Sequence, residues 1–358
     1  MKYLFPLLWL LVAVALSVGL SVAILTYKPA PNPRDYSSLP IKSVGDERLS
    51  FIEENGVKEF QLTAYPIRWE YTKGKWVVAW AYNGQIPGPE IRVNEGAKVR
   101  IVFTNNLPVA TTVHWHGLPV PNDQDGVPGV TQDPIKPGEI YTYEFTAPAA
   151  GTFFYHTHGT SHRDGAQQLD MGLSGAFIIE GEEKYVREYT LLLDEWEVLP
   201  DGTNAALRPH AEHIMNYNVF TINGKAFPDT LPLKVKEGET VLLRFINAGT
   251  SATHPMHLHG QPFTIVAVDG HPVPPAAQLI RDTLPITPGE RYDVIVTAKN
   301  PGVWMLHCHE LHHADGGMIV PFVYEGFTPK KRMPVMENME HDWMDMPGMD
   351  HTSHTEIY

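Results

Sequence analysis

The tightest constraint on this chain is the run His307-Cys308-His309, continued through His313 to Met318, because it holds the one cysteine. In a β-strand successive side chains point to opposite faces, so Cys308 is expected on one face and His307 and His309 on the other. A strand carrying this run can serve two metal sites. A thiolate, a histidine five residues on and a methionine ten residues on are three of the four donors of a blue-copper site. The fourth donor is a second imidazole, and the histidines on the reverse face call for a different metal.

Candidate partners for both faces lie upstream. His254-Pro255-Met256-His257-Leu258-His259 is one run, and two further His-x-His pairs are His114-Trp115-His116 and His156-Thr157-His158. A lone His-x-His is a weak signal, and each of these residues by itself reads as an ordinary loop or core residue. Four such motifs in this order, with the cysteine and methionine at these offsets, form a specific set. Together they resemble the motifs of the multicopper oxidases, in a two-domain, laccase-like form, and the resemblance runs from about Phe51 to Phe327.

The length of 358 residues suits about two domains, each able to bury its own core. A net charge of −14 and the lack of a Lys/Arg cluster argue against nucleic acid. A single cysteine excludes an intrachain disulfide, so packing, metal or assembly must supply stability. From Tyr3 to about Tyr27 the chain is apolar and uncharged, long enough to span a bilayer. This predicts an apolar helix acting as a signal anchor or a signal peptide (1–27), with the rest exported to the periplasmic or extracellular face. A Pro-rich tether (28–44) follows.

From Phe51 onward, short β-type runs are separated by Gly, Pro and Asn, with hardly any helical periodicity. The chain also repeats itself. PGPEIRVNEGAKVRIVFTNNL from Pro87 is echoed by FPDTLPLKVKEGETVLLRFINAG from Phe227, and each copy leads to a His motif, a Pro-Gly-Glu turn and a strand ending in His-x-His. Two copies of one unit mean two homologous domains. The resemblance makes the fold all-β, with two cupredoxin-like Greek-key β-sandwiches at about 45–182 and 186–328. The interval between His158 and His254 leaves no room for a third domain between them.

The resemblance implies four coppers per chain. The type 1 copper would take His254, Cys308, His313 and axial Met318; the type 2 copper His114 and His257; the type 3 pair His116, His156, His158, His259, His307 and His309. A zinc site is the bland metal alternative, but it uses about four ligands. In the family the trinuclear cluster lies between the first and last domains. Two-domain relatives bring these together head to tail between subunits, which predicts a homotrimer. Asp125 matches an acidic residue that assists proton delivery in the family, although an aspartate before Gly126 is also an ordinary turn residue. A second family carboxylate, directly after the type 1 histidine, is replaced by Ala314, with Asp315 adjacent. Thr157 stands where a blue-copper cysteine would be in the first domain, which weighs against a copper nitrite reductase.

The final segment (329–358) interleaves six methionines from Met333 to Met349 with histidines and acids, soft donors suited to Cu(I). A solvated, charge-rich terminus is the plain alternative. The resulting expectation is an oxidase that uses dioxygen and a small reductant, a phenol or aromatic amine by default. Oxidation of Cu(I) or another metal ion is the alternative, and a non-catalytic copper or electron-transfer protein is a further one.

Overall fold

The computed structural model describes residues 36–327 except 46, 183–184 and 209–214. The expected anchor (1–27), the Met/His-rich tail (329–358), His210 and His213 lie outside the described residues. The chain divides into two compact units, residues 1–39 and 40–358. In the first, the described residues contain one short turn of 3-10 helix, Tyr36–Ser38. In the second, no described helix is long and apolar enough to cross a membrane.

Residues from Ile41 to Glu180 build two sheets, one of six strands and one of four. The larger is organised on the 16-residue strand Val57–Thr72, and Ile41–Lys42, within the stretch expected as a tether, pairs with it in parallel. The smaller runs Gly88–Asn94, Ser174–Glu180, Gly151–Thr157, Val113–His116 in spatial order. Residues from Arg187 to Tyr324 repeat the plan with sheets of seven and five strands. The five-stranded sheet runs Leu233–Val235, Ile319–Tyr324, Val303–Cys308, His254–Leu258, Thr283–Ile286. These are two cupredoxin-like β-sandwiches.

Alternation along the strands does the sorting. In Val113–His116, Val113 and Trp115 are fully buried while the histidines between them face outward. In His254–Leu258 the buried residues are His254, Met256 and Leu258, and in Val303–Cys308 Leu306 and Cys308 point in while His307 does not. Trp115 packs in the first core against Tyr143 and Phe177. Cys308 and Met318 belong to the second core, with Phe245, Met256, Val294 and Phe322.

The sequence repeat reappears as a shared clamp. Buried Asn105 donates its amide to the carbonyls of Val109 and Ile135 and accepts from the Leu107 N–H. Asn247 does the same with Ala252, Ile286 and Gly249. Each asparagine thus ties the end of a core strand to the loop that enters a histidine strand, a place where unpaired backbone groups would be costly.

One element departs from expectation. After His158 the chain forms a nine-residue helix, His162–Asp170, whose N-cap Ser161 accepts from the Asp164 N–H. Ser-x-x-Asp is a helix-start signature, and its polar helix carries no apolar stripe by which periodicity would reveal it.

Candidate metal centres

Three donor groups emerge among the described residues: His254 with Cys308 and His313; His114 with His116 and His156; His257 with His259 and His307.

In the first group, Cys308 Sγ is 3.9 Å from His254 Nδ1 and 3.6 Å from His313 Nδ1, and the two Nδ1 atoms are 3.3 Å apart. A triangle with such edges puts all three donors about 2 Å from a common centre, the distance at which imidazole and thiolate bind first-row metals. Two imidazoles, a thiolate and a thioether suit copper, and the residues present fit it. Met318 is fully buried in the same core cluster, and its carbonyl accepts from the Cys308 N–H at 3.0 Å. Phe220 stacks on the His313 ring at 4.1 Å between centroids, fixing its plane.

The remaining histidines sit on the outer faces, paired by strand register. His114 lies opposite His156 and His257 lies opposite His307. Their hydrogen bonds repeat as well. His114 Nδ1 meets the Asp125 carbonyl and His257 Nδ1 the Asp282 carbonyl, each at 2.7 Å. His156 and His307 each direct Nδ1 to the carbonyl of the next residue, at 2.7 and 2.9 Å. A ring whose Nδ1–H is so engaged offers Nε2 to a metal. His116 is turned the other way, its Nδ1 lying 3.2 Å from His156 Nε2. His158 joins the first set through its ring contact with His114, and His309 the second through His257 and His307.

Burial favours the neutral form of several of these donors. His116 is pushed down to about 3 by burial and then by the cationic Arg291. Burial likewise lowers His156, His259, His307 and His313. Imidazoles without a proton to lose are ready ligands.

The two outer-face sets remain separate. His114 and His257 fall in different groups, and among the described residues no ring contact joins the sets. The first set opens on a cavity of about 300 Å³ lined by His116, His156, His158, His162, Thr250 and Pro288. Asp125 lies beside the first set, with Oδ1 3.4 Å from His114 Nδ1. In the first sandwich the place of Cys308 is taken by Thr157, whose hydroxyl bonds Thr111 at 2.7 Å and Gln168 at 2.6 Å. A hydroxyl–amide cluster replaces a thiolate site there.

Sequence reasoning passed over the carboxylates behind the inner-face histidines. Glu195 Oε2 is 3.0 Å from His254 Nε2, with both side chains fully buried, and Glu310 Oε2 is 3.2 Å from His313 Nε2 at the surface. The signal for Glu195 was an acidic pair, Asp194-Glu195, ending the apolar run Leu191–Leu193.

Two sequence models described as multicopper oxidase match residues 64–184 and 201–326. Among solved structures, the blue copper oxidase from Nitrosomonas europaea is 34% identical with a TM-score of 0.67, covering 79% of this chain and 95% of that one. Multicopper oxidase mgLAC is 33% identical with a TM-score of 0.69, over 79% and 91%. Copper resistance protein A of Pseudomonas syringae pv. tomato is 30% identical over 78% of this chain and 52% of its own length. The chain thus spans about half the length of the curated relatives it matches. With both halves of the described structure matched and the donor sets in place, this chain belongs to the multicopper oxidase family.

Proposed function

We propose that the protein couples one-electron oxidation of a phenolic or aromatic-amine donor to four-electron reduction of dioxygen to water. The observation that carries this reading is the placement of Cys308 and His307. They are covalent neighbours on opposite faces, one in the buried His254–Cys308–His313 set and the other in an outer-face set, so a single peptide unit connects two donor sets. Copper, when bound, supplies one-electron redox steps and the capacity to gather four electrons for dioxygen. The protein's own part is positional: His254, Cys308, His313 and Met318 hold the type 1 copper in a dry core, and eight outer-face histidines hold the other three. Asp125, next to His114, is the candidate to hold and pass a proton there.

The separation of the two outer-face sets supports assembly. A set from the first sandwich of one subunit and a set from the second sandwich of the next would complete a cluster, and head-to-tail closure after three subunits gives a ring. Export with an anchor at residues 3–27 completes the proposal. The Thr111–Thr157–Gln168 cluster argues against a nitrite reductase arrangement, which needs a blue-copper set in the first domain.

A second reading, oxidation of Cu(I), draws on the methionines and histidines after Phe327 and on the likeness to copper resistance protein A. Oxygen uptake by the copper-loaded protein, with and without the segment after Phe327, decides between them. Phenol oxidation indifferent to the tail supports the first reading. Cu(I) oxidation selectively slowed by removing the tail supports the second, and no uptake with either donor rejects both.

A further inference from the structure

The histidines of this protein are oriented by two different devices. Those on the outer faces that are set by backbone carbonyls, His114, His156, His158, His257 and His307, engage Nδ1 and present Nε2. His254 is held the opposite way, by a side-chain carboxylate at Nε2, and presents Nδ1 to Cys308 and His313.

Glu195 is built into place. It comes from Arg187–Trp196, a strand of the opposite sheet, and is fully buried. Its Oε1 accepts the backbone N–H groups of Ser251 and Ala252 at 3.2 and 3.1 Å, and its Oε2 faces His254 Nε2 at 3.0 Å. Gly249 leaves the room, since a Cβ there would run into the Glu195 carboxylate. Among the described residues its one ion-pair partner is His254. A carboxylate taken fully out of water is costly unless its neighbours compensate. Three N–H donors on one carboxylate supply that compensation, and one belongs to a metal-site histidine.

We propose that Glu195 is a positioning residue for the type 1 site: it accepts the Nε2 proton of His254, selects the tautomer whose Nδ1 lone pair faces the thiolate, and sets a fixed negative charge behind that ligand. The other tautomer would aim a proton into the donor triangle and leave two lone pairs facing each other at Glu195. Carboxylates that orient metal-bound histidines act in this way generally, and their loss typically weakens metal binding about 10–100-fold. This inference rests on the reading of His254, Cys308 and His313 as a metal site.

The test is titration of the metal-free full-length protein with Co(II), following thiolate-to-metal absorption. Cys308 is the chain's one thiol, so that band reports this site alone. Glu195→Leu is expected to bind Co(II) about 10–100-fold more weakly than wild type. Glu195→Gln keeps an acceptor oxygen without the charge. It is expected to retain the band, and its copper-loaded form to have a raised reduction potential, because the charge favouring Cu(II) is gone. Should Glu195→Leu not fold, the Glu195→Gln potential decides alone. Variants that merely unfold at lower temperature, with wild-type Co(II) affinity and potential, overturn the proposal. Absence of the thiolate band in wild type overturns instead the metal-site reading beneath it.

Discussion

Cys308 is fully buried, and burial, reinforced by the nearby carboxylates of Glu310 and Glu195, pushes its thiol up to about 12. Near neutral pH the thiol therefore keeps its proton until a metal displaces it. Since that one proton must leave for the thiolate to bind, each unit of rising pH is expected to strengthen Co(II) binding at this site about tenfold. Titrations at three pH values between about 6.5 and 8.5, read by the thiolate-to-metal band that Cys308→Ser should lack, check this. In the copper-loaded enzyme Cys308→Ser is expected to abolish the blue absorption and oxygen uptake while the outer-face histidines still bind copper; retained uptake would show that electrons enter by another route. Asp170 provides a stability test. Burial raises its carboxyl to about 7, against the lowering effect of hydrogen bonds from Thr250 and Tyr217. Between about pH 4 and pH 7 the folded protein holds a proton that the unfolded chain has released, so stability falls as pH rises through this window. Asp170→Asn is expected to flatten that slope and to be more stable than wild type above pH 7, by on the order of 4 kcal/mol, in denaturant unfolding across pH.

The elements that matter are the paired strands carrying the histidines and the asparagines that clamp their entry. Removing the Asn247 side chain would leave the carbonyls of Ala252 and Ile286 and the Gly249 N–H without partners. At about 1–3 kcal/mol for each stranded group, Asn247→Ala is expected to cost on the order of 4 kcal/mol in denaturant unfolding. A loss under about 1 kcal/mol would mean water replaces the clamp. The strands were largely legible beforehand: Lys98–Asn105, Thr240–Asn247, Phe263–Val268 and Ile319–Tyr324 fall where β-type runs between Gly, Pro and Asn place them. The helix His162–Asp170 was not. Its buried residues are Gln168 and Asp170, so polar bonds rather than an apolar stripe hold it in place.

For the whole molecule, the sandwiches pack together through Phe154, Ala176 and Ile178 on one side and Leu192, Ile246 and Ala248 on the other. Thr152 adds polar bonds across the same junction, accepting from Arg244 and donating to Asp293. The two outer-face histidine sets stay apart in this arrangement. If neighbouring subunits join them, His156→Ala and His307→Ala should each be inactive alone, yet their co-expression should restore about a quarter of wild-type oxygen uptake, from interfaces that combine the two intact halves. No recovery, together with a monomeric mass for an active wild type, would place each cluster within one chain.

The sequence by itself determined where the candidate donors lie and which face each takes. Strand periodicity is local, and it separates Cys308 from His307 whatever the rest of the chain does. The repeat fixed two sandwiches for the same reason, since each copy carries its own alternating strands and turns. Only the tertiary structure decided which ring nitrogen His114, His257 and His254 present, since each meets a group distant along the chain. That choice belongs to the hydrogen-bond partner, and for His254 the partner is a glutamate on a strand of the facing sheet. The depressed titration of His116 likewise depends on burial and on Arg291, contributed by the second sandwich. Distance along the chain hides such pairs, and packing brings them together.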